Sequence, residues 1–125
     1  MAEKINLPKA IEAIADQWDP HVAGNVNGTE IRVAKIEGAF DWHRHHGEAE
    51  AFFILKGHMD MEFRGRTVPM VAGDFLVVPP DTEHRPVAQA ECWIMLIEAA
   101  SVINTGDNQY SDKTRTVLKP LSPAA

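Results

Sequence analysis

Hydrophobic and polar positions change their period along this chain. In the first twenty residues, Ile11, Ile14, Ala15 and Trp18 fall at i, i+3, i+4 and i+7, which is one face of an α-helix. Asn6 can cap that helix, Pro8 sits in its first turn, and Asp19-Pro20 ends it. From His21 to Glu98 the period is two. The candidate strands are 30–37, 39–46, 50–56, 58–64, 67–71, 74–79, 84–88 and 91–99, punctuated by Gly38, Gly57, Gly65 and Gly73. Asn27-Gly28 predicts a two-residue hairpin turn. After Ser101 the pattern lapses. Asn104 to Asp107 reads as a turn, Thr116 to Leu118 as one more short strand, and Pro120 to Ala125 as a frayed end.

The pattern divides the chain into a helical segment over 1–20, a β-domain over 21–100 and a tail over 101–125 that packs on the domain or on a partner. Many short strands with regular turns predict an all-β protein, an antiparallel sandwich or small barrel. Two strands are apolar on both faces. Phe52 and Ile54 oppose Phe53 and Leu55, and Ile94 and Leu96 oppose Trp93, Met95 and Ile97. Such strands need a second cover, from the terminal segments or from another subunit. Trp42, Phe53, Leu55 and Trp93 all face outward by parity, so a homodimer is expected.

Composition narrows the class of function. The 125 residues are 45% hydrophobic and 24% charged, which excludes a disordered, collagenous or coiled-coil chain. No apolar run approaches the ~20 residues of a membrane span. The net charge is −6 with no basic stripe, so neither nucleic acid nor a membrane is an expected partner. Met1 to Leu7 carries no apolar stretch, and a cytoplasmic location is expected. The single cysteine, Cys92, forms no internal disulfide and reads as a small buried hydrophobe.

The chemistry gathers in Trp42-His43-Arg44-His45-His46-Gly47-Glu48-Ala49-Glu50, which holds three of the six histidines. On a strand, His43 and His45 share a face and His46 points away. After the Gly47 turn, Glu50 can return a carboxylate to the same interior, and His84 is available as a fourth ligand. Three imidazoles and one carboxylate suit one divalent transition metal: Fe, Mn, Ni, Zn, Co or Cu. The competing reading of the same residues is a histidine-rich surface loop. His21 and His58 have no partner at ligand spacing and read as solvated.

The wider spacing is Gly38-x4-His43-x-His45-x4-Glu50-x6-Gly57, followed by Gly73-x5-Pro79-x-Asp81-x2-His84. These two segments resemble the two motifs of the cupin superfamily, over about residues 30–99. Asn104-Thr105-Gly106-Asp107 is similar to a segment of small single-domain bacterial cupins. The resemblance implies a cupin-type double-sheet antiparallel β-barrel, a jelly roll, with a metal held by His43, His45, Glu50 and His84. The chain departs from the pattern at three points. Four residues rather than five follow Gly38, Asp81 stands where glycine is usual, and Ala88 stands where asparagine ends the second motif.

A site of this kind keeps the ion a Lewis acid and leaves coordination positions for a small-molecule ligand. Phe52, Ile54, Met61, Ile94 and Leu96 are expected to line the substrate pocket, with Arg85 a further candidate. Glu48, at the rim, and the ligand Glu50 are the candidate acid–base groups. A metal-dependent oxidation of the dioxygenase kind is the expectation. A Lewis-acid lyase, a sugar-phosphate-type isomerase and a non-catalytic binding module are the alternatives. The scattered Arg44, Arg64, Arg66 and Arg85 give the isomerase no phosphate cluster.

Overall fold

Asn6 begins the only helix among the residues described, which are 2–123 of a computed structural model. The Asn6 side chain accepts from the backbone N–H of Lys9 at 3.1 Å, and helix α1 runs over Leu7–Glu12. The expected continuation to Trp18 does not form. Lys35 reaches across and donates its ammonium to the carbonyls of Glu12 and Ile14, which closes the helix end. Trp18 then takes a positive φ of 57°, donates its indole N–H to the Glu37 carbonyl and stacks on Phe40.

Eight strands follow: β1 His21–Val26, β2 Thr29–Ala39, β3 Glu50–Lys56, β4 His58–Phe63, β5 Arg66–Val71, β6 Phe75–Val78, β7 His84–Ala99 and β8 Lys119–Pro120. Asn27-Gly28 makes the predicted tight turn, with φ of 55° and 82° joining Val26 to Thr29. β7 is the spine of the sheet. β2 pairs along its whole length, while β4 pairs with its first half and β3 with its second. Beyond these, β5 pairs with β4, β6 with β3, and β8 runs parallel to β1. The β-rich expectation holds, with one short helix. No ladder closes this sheet into a barrel among the described residues.

Three elements differ from expectation. The stretches 84–88 and 91–99 are one strand, bent where three residues of β7 oppose the single Glu37 of β2. The stretch 39–46 is not a strand. Phe40 donates to the Pro86 carbonyl, but Pro86 has no N–H to return, so the ladder stops. It resumes only as the bridge between His43 and His84. The tail strand lies at Lys119–Pro120 rather than 116–118, and Leu121 is buried, so the end frays later than expected. Ala124 and Ala125 of that expected frayed end lie outside the described residues.

The two-sided burial of β3 and β7 has its physical cause in the termini. Ala10, Ile11 and Ile14 pack with Leu121 over Trp93 and Val33, and Leu55 and Met95 join the same cluster. The apolar outer face that implied a partner is therefore largely covered by the chain itself. Trp42 is covered differently, by the guanidinium of Arg64 at 3.9 Å from its ring centre and that of Arg85 at 5.0 Å. The inner face carries the main core, with Ile36, Ile54, Met59, Met61 and Cys92 at its centre. Burial pushes the Cys92 thiol up to about 11. No helix among the described residues is long and apolar enough to cross a membrane.

Candidate metal centre

His43 and His45 alternate inward without a ladder to hold them, while Arg44 and His46 stay exposed. Backbone bonds replace the missing strand. His43 and His84 exchange N–H to carbonyl bonds at 3.1 and 2.9 Å. Asp81 takes a φ of 60°, the conformation for which glycine is usual at this position. Its N–H donates to the His45 carbonyl, and its carboxylate meets His46 and the Gly47 N–H. The exchange of glycine for aspartate therefore adds anchors to the loop.

His43, His45, Glu50 and His84 converge. Each is buried and offers one ligand atom, and these atoms lie within 4.8 Å of one another. Glu50 Oε1 lies 3.2 Å from His45 Nε2 and 3.3 Å from His84 Nε2. The His43 and His84 rings are 4.3 Å apart at their centres. His43 Nδ1 donates to the Asp41 carbonyl at 2.9 Å and His84 Nδ1 to the Thr82 carbonyl at 2.8 Å. Those bonds place the proton on Nδ1 and turn the Nε2 lone pairs toward the common centre. His45 Nε2 is buried and has no aligned hydrogen-bond partner. A buried nitrogen of this kind, facing two imidazoles and a carboxylate, fits a divalent ion.

The charges are arranged to match. Burial opposes ionisation of Glu50, but Glu98 and the adjacent His45 and His84 imidazoles outweigh it and hold the carboxyl well below the usual range. Glu98, buried behind Glu50, is pushed well above the usual range by burial and by the Glu50 charge. Its Oε1 receives Arg32 at 2.6 Å, while its Oε2 is buried without a hydrogen-bond partner. Neither Glu98 nor Arg32 was singled out from the sequence, although parity with Leu96 places Glu98 on the inner face.

Burial and the adjacent His84 push the His43 imidazole down from 6.5 to about 4. Between those values the folded, metal-free chain binds fewer protons than the unfolded chain. Its stability is therefore unaffected by this group above pH 6.5 and falls as the pH drops toward 4. The whole loss is about 3 kcal/mol. Urea melts of the metal-free chain at neutral pH and near pH 4.5 check this, and equal midpoints would refute it.

Beside His43 and Glu50 lies a cavity of about 30 Å³, room for one or two waters. Trp18, Phe40, Phe52, Pro86, Ile94 and Leu96 give it an apolar wall, and Asn104 is its one further polar residue. Of the expected pocket residues, Phe52, Ile94 and Leu96 line it. Ile54 and Met61 do not line it and are fully buried in the main core. Arg85 points outward and pairs with Glu62 at 2.8 Å. Glu48 is exposed and lines a polar groove on the His45 side, apart from the apolar cavity. Trp18 and Asn104 were missed as lining residues because each belongs to a terminal segment that only the tertiary fold brings to the site.

Residues 29–97 match a family model described as the cupin domain. The chain is 34% identical to a cupin-2 domain containing protein from Shewanella frigidimarina NCIMB 400, with a TM-score of 0.74 over 76% of this chain and 93% of that one. It is 30% identical to protein NMB1881 from Neisseria meningitidis, with a TM-score of 0.70 over 78% of this chain and all of the other. Hydroquinone 1,2-dioxygenase PnpCD, in complex with Cd2+ and 4-hydroxybenzonitrile, is 16% identical with a TM-score of 0.64 over 76% of this chain and 71% of that one, a likeness of fold alone. Both motifs lie inside the matched span, and the four converging side chains are those the motifs supply. The chain belongs to the cupin domain family.

Proposed function

We propose that this chain is a metal-dependent enzyme that oxidises a small, uncharged, largely apolar molecule in the manner of a dioxygenase. The observation that carries the reading is a single juxtaposition: a buried three-histidine, one-carboxylate set opens on an apolar cavity that contains no cationic side chain. When bound there, a divalent transition metal supplies a Lewis acid and, if it is Fe or Mn, a redox centre. His43, His45, Glu50 and His84 would hold it, and the closed jelly-roll barrel of the family remains part of the proposal.

The chain's own residues set the rest. Phe52, Ile94 and Leu96 exclude water from the cavity and present only apolar contact to a ligand. Arg44, Arg64 and Arg85 are committed to Asp107, Glu83 and Glu62, and among the described residues no Lys or Arg lines the cavity to receive a phosphate or carboxylate. A sugar phosphate is disfavoured for that reason. Proton transfer at carbon is disfavoured too, since Glu48 lies outside the cavity and Glu50 is the only carboxylate lining it among the described residues. In a dioxygenation both atoms of O2 enter the product and the substrate supplies the electrons, so no external reductant is needed. Of the residues that line the cavity only Trp18 is half-buried among the described residues, so a ligand larger than the present cavity would have to displace it.

The test is metal exchange. The chain loaded with Fe2+ is expected to consume O2 with members of a panel of small neutral phenols and enols, and the chain loaded with Zn2+ is not. Full turnover of the same compound by the Zn2+ form would exclude oxidation and favour a Lewis-acid lyase or isomerase. The homodimer stands as a further proposal. Val71, Phe75 and Val77 are each more than half exposed along β5 and β6, and light scattering at micromolar concentration decides it.

A further inference from the structure

The tail after β7 lies outside the span matched by the cupin domain, yet it is built into the loop that carries two of the four ligands. Its tip and that loop exchange backbone and side-chain bonds at Arg44, the residue between His43 and His45. The Asp107 N–H donates to the Arg44 carbonyl at 3.0 Å, and the Arg44 N–H donates to Asp107 Oδ1 at 2.9 Å. Gly106 sits so close that a Cβ there would collide with the Arg44 carbonyl and stand 3.1 Å from His45 Nδ1. Its φ of 54° also favours glycine.

The tip is itself held. Asn104 donates to the Lys113 carbonyl and accepts from the Arg115 N–H, each at 2.8 Å, and the Thr105 and Thr114 hydroxyls are bonded at 2.6 Å. Ser111 donates to the Asp41 carboxylate, and the Asp41 carbonyl in turn receives His43 Nδ1. The root is tied to the other side of the site. Arg32 donates to the carbonyls of Ala100 and Val102 while it holds Glu98 behind Glu50. Among the described residues the His43–His46 loop has no strand ladder, only the bridge from His43 to His84, because Pro86 has interrupted its pairing with β7.

The geometry assigns Gly106 and Asp107 as positioning residues of the metal centre: the tail is a strap that fixes Arg44 and thereby the aim of His45. This rests on the metal reading above. It accounts for a turn whose sequence, Asn104 to Asp107, has no role in the ligand set, and for the need for glycine at its centre.

The probe is Co2+, titrated into the whole chain and followed by calorimetry and by the visible absorption of the bound ion. Gly106→Ala and Asp107→Ala are each expected to weaken Co2+ binding about 10- to 100-fold, the usual effect of releasing a ligand's supporting contacts. The absorption spectrum should shift as His45 is displaced, which a loss of stability alone would not produce. Asp107→Asn keeps an acceptor for the Arg44 N–H and should recover most of the affinity. Asp107 is half exposed, so its variants remain informative should Gly106→Ala fail to fold. Folded Asp107→Ala that binds Co2+ with the affinity and spectrum of the unaltered chain overturns the strap. Absence of Co2+ binding by the unaltered chain overturns the metal reading, and the strap with it, and is distinguished by that first titration.

Discussion

His84→Ala takes the bound metal from about one ion per chain to near none, measured by elemental analysis of protein loaded and then desalted. The size of the effect follows from where His84 stands. It is fully buried, it contacts Glu50 at 3.3 Å, and its ring faces that of His43. Its removal leaves three ligands, and the neighbouring His46 and Glu48 are exposed rather than buried with them. His43→Ala should behave alike, because its Nδ1 bond to Asp41 fixes the same inward aim. Unchanged metal content in both variants would refute the four-residue assignment. The backbone exchange between His43 and His84 does not depend on either imidazole, so both variants are expected to keep the fold.

Arg32→Met is the substitution expected to cost most in stability, about 3–5 kcal/mol in urea unfolding. Arg32 is 2% exposed and donates to Glu30, Glu98 and the carbonyls of Ala100 and Val102. Methionine fills part of the volume but donates nothing, which strands a buried carboxyl and two carbonyls. Replacing both members, Arg32→Met with Glu98→Leu, should recover a large part of the loss, because the uncompensated group is then gone. A single variant within about 1 kcal/mol of the unaltered chain would show that the network is not a stabilising element.

The sequence made the site easier to read than the architecture around it. His43, His45, Glu50 and His84 are marked by residue type and interval, and intervals survive a wrong local assignment. The stretch 39–46 is not a strand, yet its alternation still buries His43 and His45 and exposes Arg44 and His46, because Asp81, Asp107 and His84 bond its backbone from outside. The cover over Trp93 was anticipated only as a need, since nothing in the period of residues 5–14 says on which face of which strand they will settle. Arg32 and Glu98 escaped notice because a charged residue in an alternating strand reads as outward by type, and only the pairing of Arg32 with Leu96 places both inside. The helix end was lost to Lys35, a contact twenty-odd residues away that no local signal announces.

Cys92 gives the molecule a built-in clock. Its thiol is sealed in the core and ionises only near 11, so an alkylating reagent at neutral pH meets almost no thiolate in the closed chain. Labelling proceeds from molecules that have momentarily opened, and its rate counts how often β7 parts from its neighbours. Cys92 shares that strand with His84, so an ion gripped at its start should slow the labelling at its middle in proportion to its saturation. Mass spectrometry of timed samples would then report occupancy without a substrate.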